Sequence, residues 1–157
     1  MSEIQLLPQV REFLQRNHAH FIDGQHRAGT SGKRIPIVNP ANGEVIAQIT
    51  CATADEVESA VAAARRTFKN EWAQTTPYQR GVVLNRLADL MEANGEELAQ
   101  LETLCSGKSI HLSRMFEVGQ SAIFLRYYAG WTTKINGETM SPSFPSMAGE
   151  QYTAMTR

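Results

Sequence analysis

Several features that would narrow the function of this chain are scarce in its sequence or missing from it. Only two cysteines occur, Cys51 and Cys105, and no Asn-x-Ser/Thr glycosylation acceptor is present. This usage is typical of a reducing compartment. No apolar run approaches the roughly 18 residues that a membrane-spanning helix needs, and Met1-Ser2-Glu3-Ile4 lacks the layout of a signal peptide. We therefore expect a cytoplasmic protein with no membrane partner.

The sequence also has no excess of positive or negative charge. The net charge is -1, and charged residues make up 20% of the 157 residues against 42% hydrophobic residues. Without a basic field the chain has no means of attracting nucleic acid, so we expect no nucleic-acid partner. The composition is that of an ordinary globular domain with a real core.

Motifs that would identify an active site are missing. No Gly-x-Gly-x-x-Gly or Gly-x-Ser-x-Gly occurs, which removes the standard dinucleotide fingerprint and the hydrolase elbow. Gly107-Lys108-Ser109 resembles the end of a phosphate-binding loop, but Glu102 occupies the position of its first glycine. The histidines have no metal-ligand spacing, which predicts surface or loop positions for all four: His18, His20, His26 and His111.

The two cysteines are poor candidates for a nucleophile. Cys105 is predicted near a helix C-terminus, where the dipole opposes ionisation of a thiol. Cys51 precedes a helix start but has no evident base. Both are interpreted as small packing residues, and the residues alone indicate a globular piece without an active site.

The first part of the chain predicts a short helix followed by extended segments. Apolar residues at helical spacing favour a helix over residues 6–17. The next extended piece, residues 21–24, closes on a turn glycine. Residues 34–38 and 44–49 flank a loop that contains Asn42-Gly43, a pair that favours positive φ and predicts a β-hairpin.

The middle of the chain predicts helices with clear boundaries. Thr53 with Glu56, and Thr76 with Gln79, form two capping boxes, and Pro77 suits a first helical position. Asn94-Gly95 separates the second helix from a shorter one that Gly107 can close. A last long helix is expected over residues 113–135, then a proline-containing loop over 141–145 and a strand over 151–157.

This layout leaves surfaces without partners. A lone strand at the end exposes unpaired N–H and C=O groups, and nothing in the sequence would cover the apolar faces of all the helices. We interpret the chain as a piece of something larger. The alternative is a small α+β domain whose terminal strand joins its own hairpin.

An ordered series of segments resembles the N-terminal region of the aldehyde dehydrogenase superfamily, with similarity to bacterial phenylacetaldehyde dehydrogenases. Its most specific segment is Arg126-Tyr127-Tyr128-Ala129-Gly130-Trp131, followed by Gly137-Glu138-Thr139. The other matching stretches, in chain order, are Phe21-Ile22-Asp23-Gly24, Asn39-Pro40-Ala41-Asn42-Gly43-Glu44-Val45-Ile46-Ala47, Ala54-Asp55-Glu56-Val57, Ala60-Val61-Ala62-Ala63-Ala64-Arg65, Leu87-Ala88-Asp89-Leu90, Glu97-Leu98-Ala99, Leu101-Glu102-Thr103-Leu104 and Gly107-Lys108.

The resemblance implies the N-terminal part of the family's α/β fold. Residues 1–136 would supply the hairpin and helices of a cofactor-binding domain, and residues 137–157 would begin an oligomerisation arm that adds a strand to a neighbouring subunit. In the family, a cysteine thiolate attacks the aldehyde, hydride passes to NAD or NADP, and a glutamate-activated water releases the acid. These catalytic and cofactor-binding residues are expected beyond Arg157, so we expect no catalytic residue here and no cofactor bound to this chain alone.

Two minor sites are carried over from the resemblance. Some relatives bind a structural monovalent cation through the backbone carbonyl just before Asn-Pro, here that of Val38. They add an aspartate where this sequence has Cys105, a soft sulfur ligand poorly suited to Na⁺ or K⁺. The helix face that lines the substrate tunnel in relatives would include Gln120 and, one turn later, Phe124; the alternative is that Phe124 is plain core and Gln120 plain surface.

The resemblance thus implies the front section of an aldehyde dehydrogenase that acts on an arylacetaldehyde such as phenylacetaldehyde and forms homo-oligomers, and is inactive as this chain alone. The alternative is a non-catalytic scaffold, or an inert truncated product, that pairs through its terminal strand.

Overall fold

The computed structural model describes residues 5–140 and 152–154, with side chains described for residues 5–137. The helices are α1 (Pro8–Gln15), α2 (Ala54–Lys69), α3 (Glu71–Gln74), α4 (Pro77–Ala93), α5 (Gly95–Ser106), α6 (Ile110–Leu112) and α7 (Gln120–Trp131), with a π-helical segment (Ser113–Gly119) between α6 and α7. The strands are β1 (His20–Ile22), β2 (Gln25–Arg27), β3 (Arg34–Val38), β4 (Val45–Thr50), β5 (Glu138–Met140) and β6 (Tyr152–Ala154).

The hairpin predicted around Asn42-Gly43 is confirmed. Strands β3 and β4 pair antiparallel, with Ile35 opposite Ile49, and Ile46 is the extra residue of a bulge near the loop. Gly43 has a φ of +76°, and its N–H donates to the carbonyl of Asn39 at 2.8 Å. The left-handed backbone that glycine permits closes this loop.

The extended piece at residues 21–24 has a partner that the sequence did not reveal. Strand β1 turns at Asp23 and Gly24, which both have positive φ, and pairs antiparallel with β2. Strand β2 is Gln25-His26-Arg27, three polar and exposed residues. No apolar alternation marks such a strand, so periodicity could not predict it.

Both predicted capping boxes form. The Thr53 hydroxyl accepts from the Glu56 N–H while the Glu56 carboxylate accepts from the Thr53 N–H, and Thr76 and Gln79 do the same at the start of α4. Asn94 ends α4 and begins α5, and Gly107 closes α5 in the left-handed conformation. Helix α1 matches its prediction to within two residues at each end.

The last helix differs from its prediction in extent and in geometry. The helical run begins earlier, at Ile110, and ends at Trp131 instead of at residue 135. Beyond Trp131 the Thr132 hydroxyl donates to the Ala129 carbonyl, and the Lys134 N–H donates to the Trp131 carbonyl. Such side-chain and three-residue bonds compete with continuation of an α-helix.

The prediction of a terminal strand without a partner in its own chain is wrong. Strand β6 pairs antiparallel with β5, with Thr139 opposite Thr153. The alternative in which this strand joins a hairpin near the start of the chain is also wrong for residues 152–154. Among the strands described, β1 pairs only with β2, and β3 pairs only with β4. The proline-containing loop predicted over residues 141–145 lies outside the described residues.

The core is small and made of small side chains. Helix α7 packs along α4, and the buried apolar residues within residues 5–137 are Val10, Ile22, Ala63, Ala88, Ala99, Val118, Ala122 and Ala129. Many large apolar side chains among residues 5–137 stay exposed, including Phe68 at 69%, Tyr78 at 73% and Ile135 at 76%. The described residues therefore leave apolar surface that they do not cover themselves.

Within the part of the chain that the structure describes, no helix combines the length and the apolar character needed to cross a lipid bilayer.

Candidate functional site

The two residues expected to line a substrate passage lie at the start of α7. Gln120 is its first residue and is half-buried. Phe124 lies one turn later and is 54% exposed. The described residues of this chain therefore do not bury Phe124, and both side chains remain candidates for contact with a ligand or with further protein.

The π-helical segment immediately precedes this pair and is tied to α5. Ser113 is fully buried, and its hydroxyl accepts a hydrogen bond from the Thr103 hydroxyl at 2.8 Å. The Arg114 guanidinium donates to both carboxylate oxygens of Glu96, each at 2.7 Å. Hydrogen bonding from Arg114 lowers the pKa of Glu96 from its ordinary value.

A second cation bridges the same elements. Lys108 Nζ donates to the carboxylates of Glu117, in the π-helical segment, and of Glu102, on α5. These hydrogen bonds, the one to Glu117 first, raise the pKa of Lys108. All three groups are solvent-accessible, so the contacts orient the segment more than they stabilise it.

The expected cation site lies where the hairpin meets α5. Val38 is the last residue of β3. Two residues later, Pro40 packs against the end of α5, where a Cβ on Gly107 would come within 2.9 Å of its Cγ. The described residues contain no group of three or more His, Cys, Asp or Glu side chains able to hold a metal. A cation here would depend on backbone carbonyls, and the role of Val38 stays a prediction.

The cysteines differ in their surroundings. Cys105 is exposed and Cys51 is half-buried, so the interpretation of Cys105 as a packing residue is wrong within this chain. Partial burial of its thiol, with the negative charge of Glu102, raises the pKa of Cys105. A raised pKa lowers the thiolate fraction at neutral pH, which agrees with its rejection as a nucleophile.

One polar cluster was missed by sequence reasoning. The Glu56 carboxylate accepts hydrogen bonds from the N–H groups of Thr53 (2.8 Å) and Thr30 (2.9 Å). These bonds, that from Thr53 first, lower the pKa of Glu56 to about 2. His20 lies against the same carboxylate, with 3.8 Å between its Nε2 and an oxygen of Glu56, and this nitrogen is buried without a hydrogen-bond partner.

His20 is therefore not the surface histidine that its spacing predicted. The cluster joins β1, the loop at Thr30 and the start of α2, because Glu56 binds both of its neighbours while completing its own helix cap. The capping box itself was the available signal that this carboxylate is held in place.

Two grooves occur among the described residues. One groove of about 450 Å³ is lined mainly by apolar side chains of β1, α2 and α3. Another, of about 300 Å³, lies between the end of α1 and strands β3 and β4. Neither has a glycine-rich strand-to-helix turn that would present N–H groups to a pyrophosphate, and no nicotinamide step is assigned to these residues.

Comparison with solved structures identifies the fold of the described residues. The structure resembles that of the aldehyde dehydrogenase from Bacillus cereus in complex with NAD⁺, with a TM-score of 0.84 and 38% identity over 90% of this chain and 29% of that one. The fold is therefore the N-terminal part of the aldehyde dehydrogenase α/β fold.

Sequence comparisons identify the family. The family model described as "Aldehyde dehydrogenase family" matches residues 26–157, and the chain belongs to that family. The phenylacetaldehyde dehydrogenase of Pseudomonas fluorescens is 42% identical over 133 residues, which are 84% of this chain and 26% of the relative. An aldehyde dehydrogenase of Emericella nidulans is 42% identical over 120 residues, 76% of this chain and 24% of the relative. The chain thus spans about a quarter of the length of these relatives.

Proposed function

We propose that this chain is the N-terminal section of a cytoplasmic aldehyde dehydrogenase that oxidises an arylacetaldehyde, such as phenylacetaldehyde, to its carboxylic acid with NAD or NADP. The observation that carries the proposal is the family match over residues 26–157. The 42% identity to a protein named phenylacetaldehyde dehydrogenase supports the choice of aldehyde.

In this proposal, residues 1–136 belong to the cofactor-binding domain and residues 137–157 to an arm that joins subunits into a homo-oligomer. The boundary falls between α7 and β5. Pairing of β5 with β6 leaves the outer edges of a two-stranded ribbon, rather than one lone strand, available for pairing with a neighbouring sheet.

The contribution of this chain to catalysis would be to bind and orient. Gln120 and Phe124 would form part of the wall along which the aldehyde enters, since one offers an amide and the other a ring at adjacent turns of α7. The carbonyl of Val38 would hold a structural monovalent cation. The nicotinamide would accept the hydride, and the nucleophilic cysteine would be supplied by protein outside these 157 residues.

The test is an activity assay on the chain alone and on a chimera. In the chimera, the 133 residues of this chain that match the Pseudomonas fluorescens enzyme replace the corresponding stretch of that enzyme, which supplies the remaining protein. We expect no aldehyde-dependent formation of NADH or NADPH from the chain and clear turnover of phenylacetaldehyde by the chimera. Turnover by the chain alone would refute its inactivity, and a folded but inactive chimera would contradict the proposed function.

Size-exclusion chromatography addresses the scaffold alternative. A stable dimer of the chain alone that melts cooperatively would favour a scaffold that pairs through β5 and β6. Aggregation, or a molten state, would instead favour one section of a larger enzyme.

A further inference from the structure

The π-helical segment Ser113–Gly119 interrupts a helical run that is otherwise α-helical from Ile110 to Trp131. Such segments account for well under 1% of residues in globular proteins and are frequent at functional sites. Each one amounts to an extra residue inserted into a helix, which must be stabilised by its surroundings.

The two ends of this segment are fixed by different helices. At its start, the buried Ser113 and the ion-paired Arg114 are tied to α5. After its end, Ala122 and Ala129 are buried where α7 packs along α4. Helix α5 fixes the rotation of the start of the segment, and α4 fixes the rotation of α7 after it. The wide turn accommodates the difference between these two rotations.

Gly119 permits the wide turn to close. A Cβ at this position would come within 3.1 Å of the Arg114 carbonyl oxygen, five residues earlier. That separation is tighter than an ordinary van der Waals contact, and the obstructing atom belongs to the backbone, which cannot rotate away. A side chain at 119 is therefore expected to open the turn toward regular α-helical geometry.

The wide turn changes which side chains share a face. An α-helix turns by about 100° per residue, so residues four apart are offset by about 40° and residues eight apart by about 80°. A turn with i→i+5 bonds takes roughly four and a half residues, so four residues fall about 40° short of one turn. The helix therefore turns about 40° less than a full turn from Phe116 to Gln120 and about 40° more than one from Gln120 to Phe124. These two offsets cancel, so Phe116 comes nearly into line with Phe124, whereas a regular α-helix would set the two about 80° apart. Phe116 and Phe124 are both more than half exposed.

We propose that Gly119 is a positioning residue for the aldehyde site: it holds the π-helical segment that aligns the ring of Phe116 with that of Phe124, with Gln120 between them along the helix. The ligand class is an aldehyde with an aryl group, because two rings in line along a helix offer edge and face contacts to a third ring. The inference rests on the proposed function of Gln120 and Phe124 as part of the substrate wall.

The test compares Gly119→Ala with Gly130→Ala. Both put alanine into the same helical run, but a Cβ at Gly130 would meet only the flexible Lys134 Nζ, at 3.8 Å. In the crystal structure of the chimera, i→i+5 hydrogen bonds should link pairs within residues 113–119. We expect Gly119→Ala to lose them and Gly130→Ala to keep them. Hydrogen bonds of i→i+4 type in the unsubstituted chimera, or unchanged hydrogen bonds in Gly119→Ala, would overturn the proposal.

The second measurement is made on the active chimera. Gly119→Ala should raise KM for phenylacetaldehyde by about three- to tenfold, the equivalent of one aromatic contact. The kcat values and the KM for acetaldehyde should stay within about twofold, and Gly130→Ala should change neither KM. Equal losses for both aldehydes would mean that Gly119 is merely structural. A chimera inactive with native Gly119 contradicts the proposed function and the positioning role with it, while the hydrogen bonds in its crystal structure still report on the π-helical segment itself.

Discussion

The exposed face of α7 gives the sharpest stability test of the claim that this chain is one section of a larger protein. Ile123 and Tyr127 lie one turn apart on that face and are 57% and 56% exposed, whereas the adjacent Ala122 is 1% exposed. Full burial of a side chain such as that of Ile contributes about 1.5–3 kcal/mol. Less than half of each side chain is covered here, and glutamine is a good helix former. We expect Ile123→Gln and Tyr127→Gln each to cost at most about 1 kcal/mol.

The matched control is Ala122→Gln. This substitution forces a larger side chain with an unpaired amide into the contact between α4 and α7, and should cost about 2–5 kcal/mol. Urea unfolding followed by circular dichroism measures the three variants, and light scattering with a dye that fluoresces on apolar surface measures association.

The unsubstituted chain should self-associate and bind the dye, and the Ile123/Tyr127 double variant should do both less. Two results would refute the reasoning. One is an unsubstituted chain that is monomeric and binds no dye. The other is a cost at Ile123 or Tyr127 as large as that at Ala122, because the face would then be buried within the chain itself.

Three further outcomes are expected of the chain in solution. Ser113→Ala should lower the free energy of unfolding by about 1–3 kcal/mol, because the Thr103 hydroxyl is left buried and unpaired; adding Thr103→Val should recover most of that loss in urea unfolding, and simple additivity of the two costs would contradict the pairing. Because the pKa of Glu56 is lowered to about 2, its contribution to stability is complete above its ordinary pKa of 4.5 and is lost as the pH falls from 4.5 toward 2. Glu56→Gln keeps a capping box and should flatten that part of a melting-temperature profile; an unchanged profile would show that Glu56 is not held as an anion. Thr76→Ala should cost about 1 kcal/mol through loss of the α4 cap, whereas Thr76→Ser should cost much less in the same melts.

The local structure of this chain was largely predictable from its residues. The capping boxes at Thr53 and Thr76 begin α2 and α4, and Asn42-Gly43 makes the loop of the β3–β4 hairpin. Gly107 closes α5. Each of these depends on backbone geometry and hydrogen bonds within a few residues, so a short window of sequence contains all of the information.

The elements that were missed depend on partners far away in the chain. Strand β2 has no apolar pattern and exists because it pairs with β1, and β5 gives β6 a partner that the terminal strand alone could not indicate. The π geometry at Ser113–Gly119 follows from α5 fixing one end and α4 the other, so no local propensity encodes it.

The candidate site also combines features that the sequence predicts with features that only the folded chain shows. Its residue types were readable from the order of the segments, which matched a family and assigned Gln120, Phe124 and Val38 their expected roles. The sequence alone thus determined where helices and turns begin and end, because those signals are local, and which family the chain resembles. Only the tertiary structure decided that His20 lies against Glu56, that Cys105 is exposed and that residues Ser113–Gly119 are π-helical, because burial and helix geometry are set by residues that meet only when the chain folds.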